Sequence, residues 1–130
     1  MNYRETDPEF IERFTHFAFT EVVNEEGQQL DEETRYMAIL SALLGCQGVD
    51  AFEFALSRAL DAGLNPVMIK EIVYQSVDYL GIGRVLPFLE TTNRILTARG
   101  VQLPLEGQAT TTMQDRLEKG AQTQVKIFGE

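Results

Sequence analysis

The chain has 130 residues, a formal net charge of −9 and a single cysteine. This length suits one domain with a hydrophobic core of its own. The acidic charge disfavours nucleic acid and anionic membranes as partners, because both require a basic face. No apolar run reaches the roughly 18 residues of a membrane span, and one cysteine cannot form an internal disulfide. These features predict a cytoplasmic protein with no membrane or nucleic-acid partner.

The first predicted helix begins at Asp7-Pro8, where the aspartate can act as a cap and the proline suits the first turn. Its apolar residues share one helical face: Phe10, Ile11, Phe14, Phe17 and Ala18. His16, the only histidine, lies on another face and is predicted to face solvent. A polar stretch over residues 24–29 predicts the loop that follows.

Residues 30–64 predict two helices joined at the kink GCQG, and the rest of the fold is expected to pack around this hairpin. Asp31 is the expected cap of the first helix. That helix is apolar around nearly its whole circumference, which predicts that it is buried. The second helix carries a single stripe, typical of one buried face: Val49, Phe52, Leu56, Ala59 and Leu60. Gly63 is expected just past its end.

Two further core helices follow the hairpin. Asn65-Pro66 repeats the cap-then-proline start, and Gly81 and Gly83 are expected to break the chain before a last core helix from about Arg84 to Arg99. Pro87 should fall in the first turn of that last helix, where a missing N–H does little harm. No segment alternates like a strand. We therefore predict an all-α bundle of about six helices built around the central hairpin.

The C-terminal part has a different character. Residues 1–103 are predicted to form the domain and residues 104–111 a linker with proline, glycine and small polar residues. Residues 112–130 predict an amphipathic helix with a stripe of Met113, Leu117, Ala121, Val125 and Phe128. Such a stripe must be covered. Two alternatives remain open: the helix packs back on its own core, or it docks on a neighbouring subunit or opens a second domain.

The hairpin carries a family resemblance. The sequence LDxxTR, an apolar helix, a small-residue kink and then ALxAGL resemble the carboxymuconolactone decarboxylase family, which includes the alkyl hydroperoxide reductase D peroxidases. The resemblance extends from residue 8 to about residue 99. It implies the helical fold of that family and homo-oligomers, commonly trimers or hexamers. Three large apolar residues off the inward stripes also favour self-association: Phe54, Tyr74 and Ile95.

The resemblance also implies where reactive groups should lie. The peroxidase branch has a Glu, a Cys-x-x-Cys twelve residues later, and a His four residues after the second Cys. An alignment without gaps places Tyr36, Gly48, Ala51 and Ala55 at these positions. Only Tyr36 among them can donate a hydrogen bond. We therefore expect an oligomeric scaffold or a degenerate half of a tandem protein, without cofactor.

Other functions stay open from the sequence. Candidate catalytic residues are Cys46, Tyr36 and Glu53: a decarboxylase-like lyase would use Tyr36, and a single-thiol peroxidase would use Cys46. A shift of the alignment by two residues would put Glu53 at the His position. Cys46 is expected to be a buried core thiol, since free cysteines usually are; a reactive thiol is the alternative. A small-molecule pocket could form from Tyr36, Tyr74, Gln75 and Tyr79. No residue spacing predicts a metal site.

Overall fold

A computed structural model describes residues 2–27 and 29–129, and within those ranges the chain is helical and has no strand. The prediction of an all-α bundle is confirmed. The helices are α1 Tyr3–Thr6, α2 Pro8–His16, α3 Val22–Asn24, α4 Glu32–Gly45, α5 Val49–Asp61, α6 Pro66–Gln75, α7 Val77–Leu80, α8 Ile82–Ala98 and α9 Arg116–Phe128. A π-helical turn over Phe17–Glu21 joins α2 to α3. None of the helices in the described ranges is long and apolar enough to cross a bilayer.

Side-chain caps determine two of the helix starts. Asp31 Oδ1 accepts a hydrogen bond from the amide of Thr34 at 2.9 Å, which satisfies one free N–H of α4. Asn65 caps α6 in the same way, ahead of Pro66. Asp7 occupies the cap position of α2, but its side chain accepts from the Thr6 hydroxyl and makes no capping bond. The proline start of α2 is therefore confirmed and its aspartate cap is not.

The core lies where the α4–α5 hairpin packs on α6 and α8. The aromatic ring of Phe52 on α5 meets that of Phe88 on α8 edge to face, with 5.1 Å between ring centroids. This geometry is favoured by the charge distribution of the rings. The other large side chains that are fully buried are Leu40, Leu44, Leu56, Ile69, Val73, Val85, Thr92 and Leu96. The hairpin is thus the centre of the fold, as predicted.

Helix α4 is less buried than its sequence predicts. Only Tyr36, Leu40 and Leu44 are buried, while Ala38 and Ala42 on the other side are exposed. The neighbouring helices cover α4 from one direction, and the exposed side carries small side chains with little apolar area. The prediction of a helix without a solvent-facing side was therefore wrong for the single chain.

Helix α8 begins earlier than predicted. Gly81 has a φ of +81° and breaks the chain, whereas Gly83 continues the helix that begins at Ile82. Pro87 is therefore the sixth residue of α8 and lies beyond its first turn, contrary to the prediction. Ile95, expected on an outward face, is 7% exposed because α5 and α6 both pack on α8.

The N-terminal segment meets the core through a different face from the predicted one. Phe10, Phe14 and Phe17 are each more than half exposed. A π turn holds more residues than an α turn and so rotates the side chains that follow it. Phe19, inside this turn, is partly buried, and the Arg58 guanidinium lies 4.3 Å from its ring centroid.

The predicted C-terminal helix is present and begins at Arg116. Ahead of it, the amide of Thr112 donates to the carboxylate of Asp115, and the amide of Asp115 donates to the hydroxyl of Thr112. Every residue of α9 is exposed, so packing back on its own core is wrong. The limits of the domain and of the linker stay a prediction.

Candidate functional site

The four positions implied by the peroxidase pattern lie along the hairpin. Tyr36 and Ala55 are 6% and 7% exposed and face the core from α4 and α5. Ala51 is exposed, and Gly48 directly precedes α5. A Cβ at Gly48 would lie 3.4 Å from the sulfur of Cys46, an ordinary contact, so an alanine-sized side chain meets no clash there. The four side chains present at these positions cannot relay protons between them.

Cys46 is exposed, and the expectation of a core thiol was wrong. The residue follows the last turn of α4, where its amide donates to the carbonyl of Ala42. The turn continues through Gln47, whose φ is +61°. The thiol of Cys46 donates to the carbonyl oxygen of Leu43 at 3.5 Å. Its hydrogen-bond partner is therefore a backbone carbonyl and not an acid or an imidazole.

Glu53 takes part in an ion pair on the surface. Its carboxylate accepts from the guanidinium of Arg94 on α8 at 2.5 Å, and both side chains are roughly half exposed. The hydrogen bond that Arg94 donates to this carboxylate raises the pKa of Arg94 above its usual value. Glu53 therefore links α5 to α8, and a solvent-exposed pair of this kind contributes little to stability.

Tyr36 and Cys46 lie at opposite ends of α4. Ten residues separate them, which corresponds to about 15 Å along a helix that rises 1.5 Å per residue. His16 lies on the N-terminal segment, where its Nδ1 is 2.9 Å from a carboxylate oxygen of Glu21. The hypothesis of a solvent-facing histidine is confirmed. The sulfur, the phenol and the imidazole thus occupy three separate environments.

A cavity of about 210 Å³ lies between the N-terminal segment and the first half of α4. Arg35 and Arg58 both line it, beside the phenol ring of Tyr36. Arg35 forms an ion pair with Glu32, with 3.3 Å between a guanidinium nitrogen and a carboxylate oxygen. Arg58 stacks on the ring of Phe19 and forms no ion pair within the described residues. The remaining lining residues are Ala18, Phe19, Val23, Glu32 and Ile39. Because Glu32 offsets the charge of Arg35, the guanidinium of Arg58 and the phenol of Tyr36 are the groups that suit a small anion.

A family model adds an independent finding. The model of the carboxymuconolactone decarboxylase family matches residues 8–93, which is more than half of the chain. The chain belongs to the carboxymuconolactone decarboxylase family. The match runs from α2 into α8 and does not include α9. A search of curated proteins and a search of solved structures found no match.

The cavity of this carboxymuconolactone decarboxylase domain differs from the pocket that its sequence predicts. Of the four predicted lining residues, only Tyr36 contributes, since Tyr74, Gln75 and Tyr79 are exposed on α6 and α7. Arg58 was missed because it occurs in an otherwise ordinary amphipathic helix. The one signal in the sequence was Phe19, an aromatic residue off the main apolar face of α2.

A buried cation was also missed. Lys70 on α6 is 7% exposed, and its ammonium donates to the side-chain oxygen of Asn93 on α8 at 2.6 Å. The same ammonium lies 5.0 Å from the ring centroid of Tyr74, a favourable cation–π distance. In the sequence, Lys70 looks like any solvent-exposed lysine of a helix. Its burial is visible only from the packing of α6 on α8. Because it touches core helices rather than the cavity, we regard it as structural.

Proposed function

We propose that this carboxymuconolactone decarboxylase-family domain is an oligomeric scaffold without thiol-peroxidase chemistry. One observation carries the proposal: Cys46, Tyr36 and Glu53 do not converge. A thiol peroxidase needs a thiolate beside a base and a second group that resolves the oxidised sulfur. Here the sulfur donates to a carbonyl, the carboxylate is occupied by Arg94, and the phenol lies at the far end of α4.

Exposed apolar side chains on the core helices support the oligomeric part of the proposal. Phe54 on α5 is 60% exposed, and Tyr74 and Leu86 are each about half exposed. Helix α4 also presents Ala38 and Ala42 to solvent. Aromatic side chains are enriched at protein interfaces relative to the rest of the surface. We propose a trimer or a hexamer, in line with the family.

A second candidate function is the binding, or the lyase-type turnover, of a small anion in the cavity beside Tyr36. The observation that favours it is Arg58, a partly buried guanidinium that lines the cavity and has no carboxylate partner in the described part of the chain. A carboxylate could accept two parallel hydrogen bonds from this group. Tyr36 would then be the proton donor nearest to the ligand.

Parallel turnover assays separate these functions. Wild type, Cys46→Ser and Tyr36→Phe are compared for hydroperoxide consumption with a dithiol reductant and for turnover of carboxymuconolactone. The scaffold proposal expects both assays to stay at the blank rate for all three proteins. Hydroperoxide turnover that disappears in Cys46→Ser would support a peroxidase. Lactone turnover that disappears in Tyr36→Phe would support the lyase.

A further inference from the structure

Two apolar helical faces lie uncovered at opposite ends of the chain. The N-terminal face consists of Phe10, Phe14 and Phe17, and the first two rings stack with 6.3 Å between centroids. The C-terminal face is on α9 and consists of Leu117, Ala121, Val125 and Phe128. Leu117 and Phe128 are 84% and 83% exposed. Faces of this size on soluble proteins usually mark interaction sites.

The local structure keeps the C-terminal face pointing outward. The ammonium of Lys119 donates to the carbonyl of Thr110 and pairs with Asp115, so the preceding loop folds against the polar side of α9. Residues 117, 121, 125 and 128 lie on the opposite side of the helix, given 100° per residue. The loop therefore packs against the polar side of α9, and the apolar side of α9 stays exposed to solvent.

Charge distinguishes between the ways in which these faces can pair. The segment Tyr3–Glu26 carries two arginines and seven acidic residues, whereas α9 carries three cations and one carboxylate. A pair of N-terminal faces would bring together two acidic segments, and a pair of α9 helices would bring together two basic ones. Only the mixed pairing joins opposite charges. Because these charged side chains lie outside the apolar faces, they can steer association without being desolvated.

The area of the two faces is sufficient for a standard interface when two copies pair reciprocally. At roughly 200 Å² for each aromatic side chain and somewhat less for each aliphatic one, the two faces together expose on the order of 800 Å². In a closed assembly every copy uses both of its faces once. In a reciprocal pair each copy would bury about 800 Å² against the other, the usual contribution of one partner to a specific interface, whereas each contact of a ring would bury about 800 Å² in total.

We propose that the C-terminal face of α9 packs on the N-terminal face of a second copy of this chain. The contact is heterologous, because it joins two different surfaces, and it closes into a ring or a reciprocal pair. It rests on the self-association in the proposed function and adds a contact that, we infer, the exposed side chains of the core helices need in order to hold the copies together. The phenylalanines would fill the spaces between the leucine and valine side chains, as in helix pairs with interdigitated ridges.

Sedimentation of three full-length variants tests the contact: Phe14→Asp, Leu117→Asp and the control Thr123→Asp on the polar side of α9. We expect Phe14→Asp and Leu117→Asp each to weaken association by roughly 30-fold or more, as a central apolar anchor does when lost. The control should assemble like wild type. All three positions lie outside the core cluster, so the circular dichroism of the variants should match that of wild type.

Mixing the two defective variants gives the sharpest result. Copies with Phe14→Asp keep an intact α9, and copies with Leu117→Asp keep an intact N-terminal face. An equimolar mixture should therefore form a heterodimer, although neither variant forms a dimer alone. Assembly that survives in either variant overturns the contact but leaves a scaffold assembled through another face. A monomeric wild type overturns both this contact and the oligomeric scaffold.

Discussion

Truncation of Phe52 to alanine tests the packing of the hairpin on α8, on which the position of every candidate residue depends. Phe52 is fully buried, and burial of such a ring removes about 200 Å² from water, or roughly 5 kcal/mol at about 25 cal/mol per Å². Substitutions of this type cost about 3–5 kcal/mol. Loss of the edge-to-face contact with Phe88 should account for about 0.5–1.5 kcal/mol of this.

Urea unfolding, followed by circular dichroism at a fixed protein concentration, measures these free energies. Phe54→Ala is the matched control, because Phe54 lies on the same helix but is 60% exposed; it should cost less than about 1 kcal/mol. A double-mutant cycle of Phe52→Ala and Phe88→Ala isolates the ring contact. Equal costs for Phe52→Ala and Phe54→Ala would refute the packing of α5 on α8 described above.

Three further predictions concern polar groups. Asn93→Ala should lower the free energy of unfolding by about 1.5–3 kcal/mol, because it leaves the Lys70 ammonium without its hydrogen-bond partner. Lys70→Met should lower it by less, since no unpaired charge remains. Chemical unfolding compares the two variants, and the reverse order would contradict the buried pair. Asn65→Ala should lower the free energy of unfolding by about 1 kcal/mol through loss of a helix cap, and an unchanged melting temperature would speak against that cap. Hydrogen bonds from Thr34 hold the pKa of Asp31 below its ordinary value of 3.8, so the stability from this cap is present above pH 3.8 and is lost as the pH falls through the lowered pKa. Asp31→Asn should remove this part of the acid dependence, and an unchanged profile of stability against pH would count against it.

Local signals made the elements of the fold predictable. Asp31, Asn65-Pro66 and Gly63 begin or end helices through contacts within a few residues, and such contacts follow from the sequence alone. The apolar stripes of α5 and α8 identified the buried side chains for the same reason. The alignment that assigns Tyr36 and Ala55 to the family's Glu and His positions was also available from the sequence, because the resemblance is present at both ends of the hairpin.

Tertiary coverage was not predictable. Both α4 and the N-terminal segment are rich in apolar residues. In the single chain, however, only one side of α4 is buried, and the N-terminal phenylalanines are mostly exposed. The cavity at Arg58 depends on the π turn at Phe17–Glu21, which changes the direction of Phe19 and has no clear signature in the sequence. Free cysteines are usually buried, but Cys46 lies just past the end of α4 and is exposed there.

The rate at which Cys46 reacts with a hydroperoxide tests the absence of a working thiol site most directly. Mass spectrometry can measure the second-order rate constant for the native protein, and the same chain in urea supplies the rate of an unassisted thiol. We predict that the two rate constants agree within about tenfold, because no acid or base assists the native thiol, whereas such assistance contributes on the order of 100-fold or more. A native rate at least 100-fold faster, and lost in Glu53→Gln or Tyr36→Phe, would contradict the scaffold function.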